Sequence, residues 1–462
     1  MESTKSIEPI RHPLVQEIIE HEGKTLFELV EVFGSAVHIL LPEIFQENLT
    51  LYESALKKYE LKHGILYAAK ANKGRSFLEM CSKASSGVDV SSIFELRSAL
   101  SYGVIGENIG ISGPMKTDKF LLLAVKHNSL IAIDSFDELD VLINFIKSGL
   151  INEKIRILIR IGDLQDKKSR FGIQKDQLDE IYKILDGYSD FFDLQGFSFH
   201  LDGYSIKERA NAISEIYTEI VKGRDKGFNC STIDIGGGFT ISYLDENNWR
   251  LFQDINEQQK ALFYQNKKFT SFYPYYSVNP KEKFLEEILN SYVQNTRTRI
   301  FELLQSGNIQ LLIEPGRSLL DQAGFTVMKV RGTKSLGEEN LVFVDANFNH
   351  LSEQWFNTDF IPGPLHVPKI STPMTHEQSF VASVAGNTCM ENDMLTWRKV
   401  PFSRKPKKDD LLVYTNTAGY QMDSNESEFH QIPIPEKITM FKGIGNRIQW
   451  KKDSDFSQLD LL

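Results

Sequence analysis

Side chains able to do chemistry recur at the ends of short apolar runs in this chain. Lys70 closes the run Tyr67-Ala-Ala-Lys70-Ala-Asn72. An ammonium placed there sits near a protein interior, where desolvation lowers its pKa and frees the neutral amine as a nucleophile. On spacing alone, a lysine that snorkels out to water fits as well or better. Asp89, in Gly87-Val-Asp89-Val-Ser91-Ser92, can pair with a cation at the same rim or simply lead into a helix. In either case Ser91 or Ser92 is an N-cap, with Glu95 closing a capping box. Arg160, near Ser169-Arg170-Phe171-Gly172, can pair with Asp89 or with an anion.

His200, in Phe199-His200-Leu201-Asp202-Gly203, is one more polar residue at a run's end. A lone histidine there is commonly structural, but its place in the series favours function. Gly236, Gly237 and Gly238 follow Asp234-Ile235. Successive glycines let backbone N–H groups converge on an anion such as phosphate, although the spacing matches neither the dinucleotide fingerprint nor the P-loop. Finally, Glu314-Pro315-Gly316-Arg317 sets one anion and one cation on a tight turn.

These residues need elements to hold them. Strands are expected at 65–70, 88–90, 108–112, 130–134, 155–161, 195–201, 232–235 and 310–314. Helical patterns fall between them at 76–84, 92–102, 116–127, 136–147 and 207–226. Strands alternating with helices imply parallel βαβ units, and eight in series predict a (β/α)8 barrel with its site at the C-terminal strand ends. A doubly wound open sheet is the alternative. Upstream, 27–41 alternates and reads as one or two strands, followed by a helix over 43–60. Residues 239–310 form an aromatic-rich insertion with a helix over 281–306. It reads equally as a lid over the site or as a solvent-facing or dimer-facing elaboration. Beyond Arg317, runs at 325–330, 341–344, 379–384 and 411–414 predict an all-β domain.

The 462 residues exceed one ordinary core and require two domains. A net charge of −10 disfavours nucleic-acid and anionic-membrane roles. The N-terminus has no apolar stretch, so no signal peptide is expected, and no run is long enough to span a membrane. Cys81, Cys230 and Cys389 form no disulfide framework and no metal-binding pair, which fits a reducing, cytoplasmic location.

Taken in order, YAAKAN, GVDVSS, IRIG with KSRFG, FHLDG, DIGGGF, EPGR, Cys389-Met-Glu-Asn-Asp393 and Ala418-Gly-Tyr420 resemble the fold-type III pyridoxal-phosphate (PLP) enzymes. The alanine racemase fold is the broad group, and the ornithine/diaminopimelate decarboxylase branch is the nearer one. The resemblance covers roughly residues 30–425. It implies that Lys70 is the Schiff-base lysine, with Asp89 and Arg160 as a pair beside it and His200 against the pyridine ring. Gly236, Gly237, Gly238, Gly316 and Arg317 would cradle the phosphate, reached also by Tyr420. Glu314 would bond the pyridine nitrogen. Cys389 would come from the other subunit of a homodimer with shared active sites and act on the carbanion. The resemblance further implies that residues 1–44 join the C-terminal β domain at 326–462, around a barrel at 45–325.

A carboxylate at the pyridine nitrogen strengthens PLP as an electron sink. Glu314 therefore favours a decarboxylase over a racemase, and Cys389 fits the acid that reprotonates the carbon. The chain departs from the branch in three places. Met390 stands where an acid for the substrate's distal amine is usual, leaving Glu391 and Asp393 as the acids near the substrate. Gly203 replaces a phosphate-binding serine, and the segment after Tyr420 is altered. The expected function is PLP-dependent decarboxylation of an amino acid. A racemase or epimerase, or an inactive regulatory homologue, is the alternative.

Overall fold

The apolar runs that end in reactive residues pair with one another in parallel and close on themselves. A computed structural model describes residues 6–164, 169–258, 262–351, 357–369 and 379–457. Two helices lead in, α1 (Pro13–His21) and α2 (Gly23–Phe33), followed by β1 (Val37–Leu40) and α3 (Pro42–Lys58). The repeating units then run β2 (Lys62–Ala68), α4 (Arg75–Lys83), β3 (Gly87–Val90), α5 (Ile93–Ser101), β4 (Ile109–Ile111), α6 (Asp118–Lys126), β5 (Leu130–Ile133) and α7 (Phe136–Lys147). They continue with β6 (Ile155–Arg160), α8 (Leu178–Asp186), β7 (Phe192–Ser198), α9 (Ile206–Asp225) and β8 (Thr232–Asp234). The insertion contributes α10 (Glu246–Gln258), α11 (Glu282–Asn290) and α12 (Ile300–Ser306) before β9 (Gln310–Ile313). Strands β2 to β9 form a closed barrel. Its interior holds a leucine cluster of Leu66, Leu130, Leu158 and Leu312.

The barrel helices begin where the sequence offers a hydroxyl cap. Ser92, Ser135 and Ser205 each accept the N–H three residues on. Around α5 the box closes one residue earlier than expected, because Glu95 accepts from the Ser91 N–H at 2.7 Å.

The second unit is β10 (Gly324–Leu336), β11 (Glu339–Val344), β12 (Leu365–Val367), β13 (Phe380–Ala385), β14 (Met394–Phe402), β15 (Leu411–Thr415), β16 (Glu436–Lys442) and β17 (Ile448–Lys452). Its main strand order is β14-β13-β11-β10-β1-β16-β17. The N-terminal strand β1 sits inside this sheet, antiparallel to β10 and parallel to β16.

Two expectations fail. Residues 27–33 belong to helix α2, because Leu26, Leu29 and Val30 bury one helical face. The alternating pattern there is the same residues read at period 2. The expected helix over 281–306 is broken into α11 and α12 by a hairpin-like turn, in which Tyr292 and Arg299 bridge and Asn295 takes a φ of 60°.

The insertion is neither a free flap nor a purely outward decoration. Helix α11 packs against α9 and α3 in the outer ring of the barrel. The stretch before it joins the core of the β unit, where Tyr243, Phe252, Phe263 and Tyr275 bury against Val342, Trp397 and Tyr414. The Lys399 N–H donates to the Leu262 carbonyl at 2.9 Å. No helix of the described residues is long and apolar enough to cross a membrane.

Candidate functional site

Three strand ends are tied together before any side chain is considered. The Glu314 N–H donates to the Gly236 carbonyl at 2.9 Å, and the Ala68 N–H to the Pro315 carbonyl at 3.3 Å. The Tyr420 N–H, from the β unit, donates to the Ala71 carbonyl at 2.8 Å. The residues after β2, β8 and β9 and the turn around Tyr420 therefore meet at one rim.

Lys70 leaves this rim on a single 3-10 turn, Ala69–Ala71, and lines a cavity of about 390 Å³. Arg160, Arg170, Phe171, His200 and Glu314 share that lining. Burial pulls the Lys70 ammonium down, yet Asp89 and Glu314 outweigh it and hold its pKa above the ordinary lysine value. Desolvation alone, the sequence argument, gives the wrong net direction here because two carboxylates face the amine.

Asp89 is 1% exposed, and neither carboxylate oxygen has a hydrogen-bond partner among the described residues. Burial first, and then the neighbouring Glu314, push its pKa up to about 7, against the pull of Lys70. Asp234 is a third carboxylate in this group. Burial and Glu314 push it well above the usual range, although its Oδ1 accepts the Gly236 N–H at 2.9 Å. Burial also acts to raise Glu314, but His200, Lys70 and Arg160 hold it below the ordinary carboxylate value. The cluster thus keeps one carboxylate ionised, Glu314, and favours protons on the other two.

His200 accepts the Gly237 N–H on Nδ1 at 3.3 Å, and that nitrogen lies 3.9 Å from Glu314 Oε2. A ring that accepts on Nδ1 carries its proton, when neutral, on Nε2. Arg160 does not pair with Asp89. Its Nη1 lies 3.8 Å from Asp134 Oδ1, and its guanidinium sits 4.4 Å from the centre of the Phe171 ring. Asp134 in turn accepts the Gly172 N–H. Behind it, Lys116 and Glu138 form a fully buried ion pair at 3.0 Å.

The glycine turn is a close-packed cradle. Gly236 and Gly238 have φ of 66° and 81°. A Cβ on Gly236 would stand 2.5 Å from His200 Nδ1, and one on Gly237 would stand 2.6 Å from the Glu314 carbonyl oxygen. One on Gly238 would run into Arg209 Nη2. Gly316 is constrained in the same way, by the Tyr420 hydroxyl at 2.9 Å. Arg317 donates to the Gly419 carbonyl at 3.1 Å and lies over the rings of Tyr420 and Tyr273.

Cys389 does not line this cavity. It is exposed in the loop between β13 and β14, where its Sγ lies 3.1 Å from His430 Nε2. Glu391 is exposed on the same loop, as is Met390. Asp393 is 4% exposed, and its carboxylate accepts the N–H groups of Phe348 and Thr388 and the Thr388 hydroxyl. It is engaged in shaping the Cys389 loop.

Sequence reading missed Asp134, Asp234, Arg209, Tyr273 and His430. Asp134 and Asp234 were visible as acids at strand ends, the signal that singled out Asp89. Arg209, in a run of polar helix residues, and Tyr273, among many aromatics, carry no spacing signal. His430 stands far from Cys389 in sequence.

Comparison with known proteins bears on the family and the fold. Residues 45–271 match the family model for the pyridoxal binding domain of pyridoxal-dependent decarboxylases. Over 442 residues the chain is 34% identical to the uncharacterized protein y4yA of Sinorhizobium fredii, covering 95% of each. It is 25% identical to the diaminopimelate decarboxylase of Aquifex aeolicus, covering 94% of this chain and 93% of that one. Among solved structures, Helicobacter pylori diaminopimelate decarboxylase complexed with L-lysine superposes with a TM-score of 0.68 at 20% identity, covering 92% of this chain and 95% of that one. Vibrio vulnificus lysine/ornithine decarboxylase gives 0.66 at 16%, covering 93% and 99%.

Proposed function

Because this chain belongs to the fold-type III pyridoxal-dependent decarboxylases, in the ornithine/diaminopimelate branch, we propose that it removes the carboxyl group of an amino acid as carbon dioxide. The observation that carries the reading is the convergence of Lys70 and Glu314 on one cavity, with buried Asp89 acting on Lys70, next to the close-packed glycine turn.

The cofactor is PLP, and the residues present suit it. Asp89 holds two buried oxygens without hydrogen-bond partners among the described residues, as a site shaped around a further group would. The cradle glycines leave no room for a Cβ, so their backbone packs directly against His200, Glu314, Arg209 and Tyr420 at the cavity's rim. PLP, when bound, withdraws electrons from the α-carbon and stabilises the charge left as carbon dioxide departs.

Lys70 would hold the cofactor covalently. Glu314, kept ionised by His200, Lys70 and Arg160, would hold a proton on the pyridine nitrogen and so strengthen that withdrawal. His200, its Nδ1 fixed by Gly237, would support the ring. Gly236, Gly237, Gly238, Gly316, Arg317 and Tyr420 would bind the phosphate. Asp89 acts on the Lys70 amine, and its raised pKa lets it hold or release a proton beside it. Cys389, delivered by a second copy of the chain, returns a proton to the α-carbon, and Glu391 on the same loop contacts the substrate.

The test is incubation of the PLP-loaded protein with a panel of amino acids, following carbon dioxide and amine together. Stoichiometric release of both on one substrate, absent in Lys70→Ala, is the expected result. Deuterium exchange at the α-carbon with the carboxylate retained would assign a racemase or epimerase instead.

A further inference from the structure

Beneath the glycine cradle lies a buried cation that none of the roles above uses. Arg209, in the first turn of α9, is 1% exposed. Its Nη2 donates to the Gly237 carbonyl at 3.4 Å and the Leu201 carbonyl at 3.5 Å. Its guanidinium stands 5.7 Å from the centre of the Phe284 ring. Nη1 has no hydrogen-bond partner among the described residues. Burial pulls the guanidinium's pKa down, and Tyr204 and Glu208, the neighbouring residue, act on it through charge. A guanidinium stays charged at any physiological pH, and burying one without a counter-ion is unfavourable. The fold tolerates such a charge where an anion will complete it.

The geometry says which anion position Arg209 serves. In a trans peptide the C=O and N–H point in opposite directions. Arg209 holds the Gly237 carbonyl towards α9, so the Gly238 N–H of that peptide faces away from α9. One donor is thereby turned outward by the cation behind it. Gly238 takes a φ of 81°, and a Cβ there would collide with Arg209 Nη2. Glycine at this position is thus a consequence of Arg209 standing directly under the loop.

We propose that Arg209 is a positioning residue for the cofactor's phosphate. It fixes the orientation of the 237–238 peptide and supplies, through it, the positive charge that the dianion completes. This rests on the reading that the glycine turn holds that phosphate.

The test compares binding of PLP and of pyridoxal, which lacks the phosphate, to the apoprotein, alongside the melting temperature of each apo variant. Wild-type protein should bind PLP far more tightly than pyridoxal. Arg209→Met should weaken PLP binding at least tenfold and leave pyridoxal binding unchanged, while the apoprotein melts at the same temperature or higher, having lost a buried cation whose Nη1 has no hydrogen-bond partner among the described residues. Gly238→Ala, which keeps the cation but displaces it, should reduce the PLP-to-pyridoxal ratio in the same sense. Arg209→Lys, which retains the charge without the fork, should recover part of it. An unchanged ratio in Arg209→Met and Gly238→Ala would overturn the proposal. So would an Arg209→Met apoprotein that melts lower and loses affinity for both ligands equally. If wild-type protein itself fails to distinguish PLP from pyridoxal, the phosphate reading of the glycine turn falls, and this inference with it.

Discussion

The Arg317 guanidinium carbon lies 4.4 Å from the centre of the Tyr273 ring. Tyr273 comes from the insertion between β8 and β9, whereas Arg317 follows β9, and the Tyr420 ring, from the β unit, stands 4.9 Å away on the same cation. One arginine is thus held by the barrel's insertion and by the second unit together. The aromatic stretch of the insertion therefore orients a residue of the proposed phosphate site.

Tyr273→Ala should loosen Arg317 without unfolding the barrel. A cation–π contact of this kind contributes about 1 kcal/mol, so the dissociation constant for PLP should rise roughly fivefold. Titration of the apoprotein with PLP measures it. Tyr273→Phe, which keeps the ring, should behave as wild type.

Glu314→Gln keeps the shape of the site and removes the charge. Turnover should fall about 10²- to 10³-fold, the usual loss when one electrostatic partner of the reacting system is removed. PLP should still bind, because Lys70 and the glycine cradle are untouched. Rates of carbon dioxide release and PLP occupancy, measured on the same preparation, separate the two effects.

Cys389 should be the first thiol to react with iodoacetamide. Cys81 is fully buried, and burial raises its thiol far above the usual range, while burial pushes Cys230 up to about 12. Cys389 is exposed, with His430 Nε2 3.1 Å from its sulfur, and an adjacent imidazole is a ready acceptor for a thiol proton. Peptide mapping should find modification at Cys389 alone in the folded protein, and slower modification in His430→Ala. Cys389→Ala should lower turnover by about 10²- to 10⁴-fold, the range for a lost general acid, with PLP binding intact.

The order of strands and the rim residues were legible because each barrel strand carries its own local signal, an apolar run ending in one polar residue. All eight expected strands are present, shifted by a few residues at most. What escaped was whatever depends on a partner distant in sequence. Arg160 finds Asp134 rather than Asp89 because the strand-end positions of β5 and β6 are neighbours, whereas β3, which carries Asp89, is three strands away from β6. Arg209 reads as a solvated helix residue until α9 is laid against the glycine turn. Lys70 was read through desolvation alone, and only the assembled rim brings two carboxylates to it.

Those carboxylates give the apoprotein a pH dependence whose sign follows from Asp89. Its pKa in the fold is about 7, against 3.8 for an ordinary aspartate. Between those values the folded protein keeps a proton that the unfolded chain has released, so stability falls as pH rises through the window and levels off above it. Asp234, also raised, acts in the same direction. Glu314, which is lowered, acts in the opposite sense but only in acid, where its contribution is lost as pH falls below the ordinary glutamate value of 4.5. Lys70, which is raised, keeps its contribution up to the ordinary lysine value of 10.5 and loses it only above. The buried rings of His38, His350 and His366, whose pKa values burial lowers, act in the opposite sense over part of the interval from about pH 5 to about pH 7, so the Asp89 contribution is read as a difference between two proteins. Across that interval the melting temperature of the wild-type apoprotein should accordingly fall relative to that of Asp89→Asn, which cannot ionise. Equal slopes in the two proteins would mean that Asp89 is ionised throughout and that Lys70 holds it as a simple ion pair.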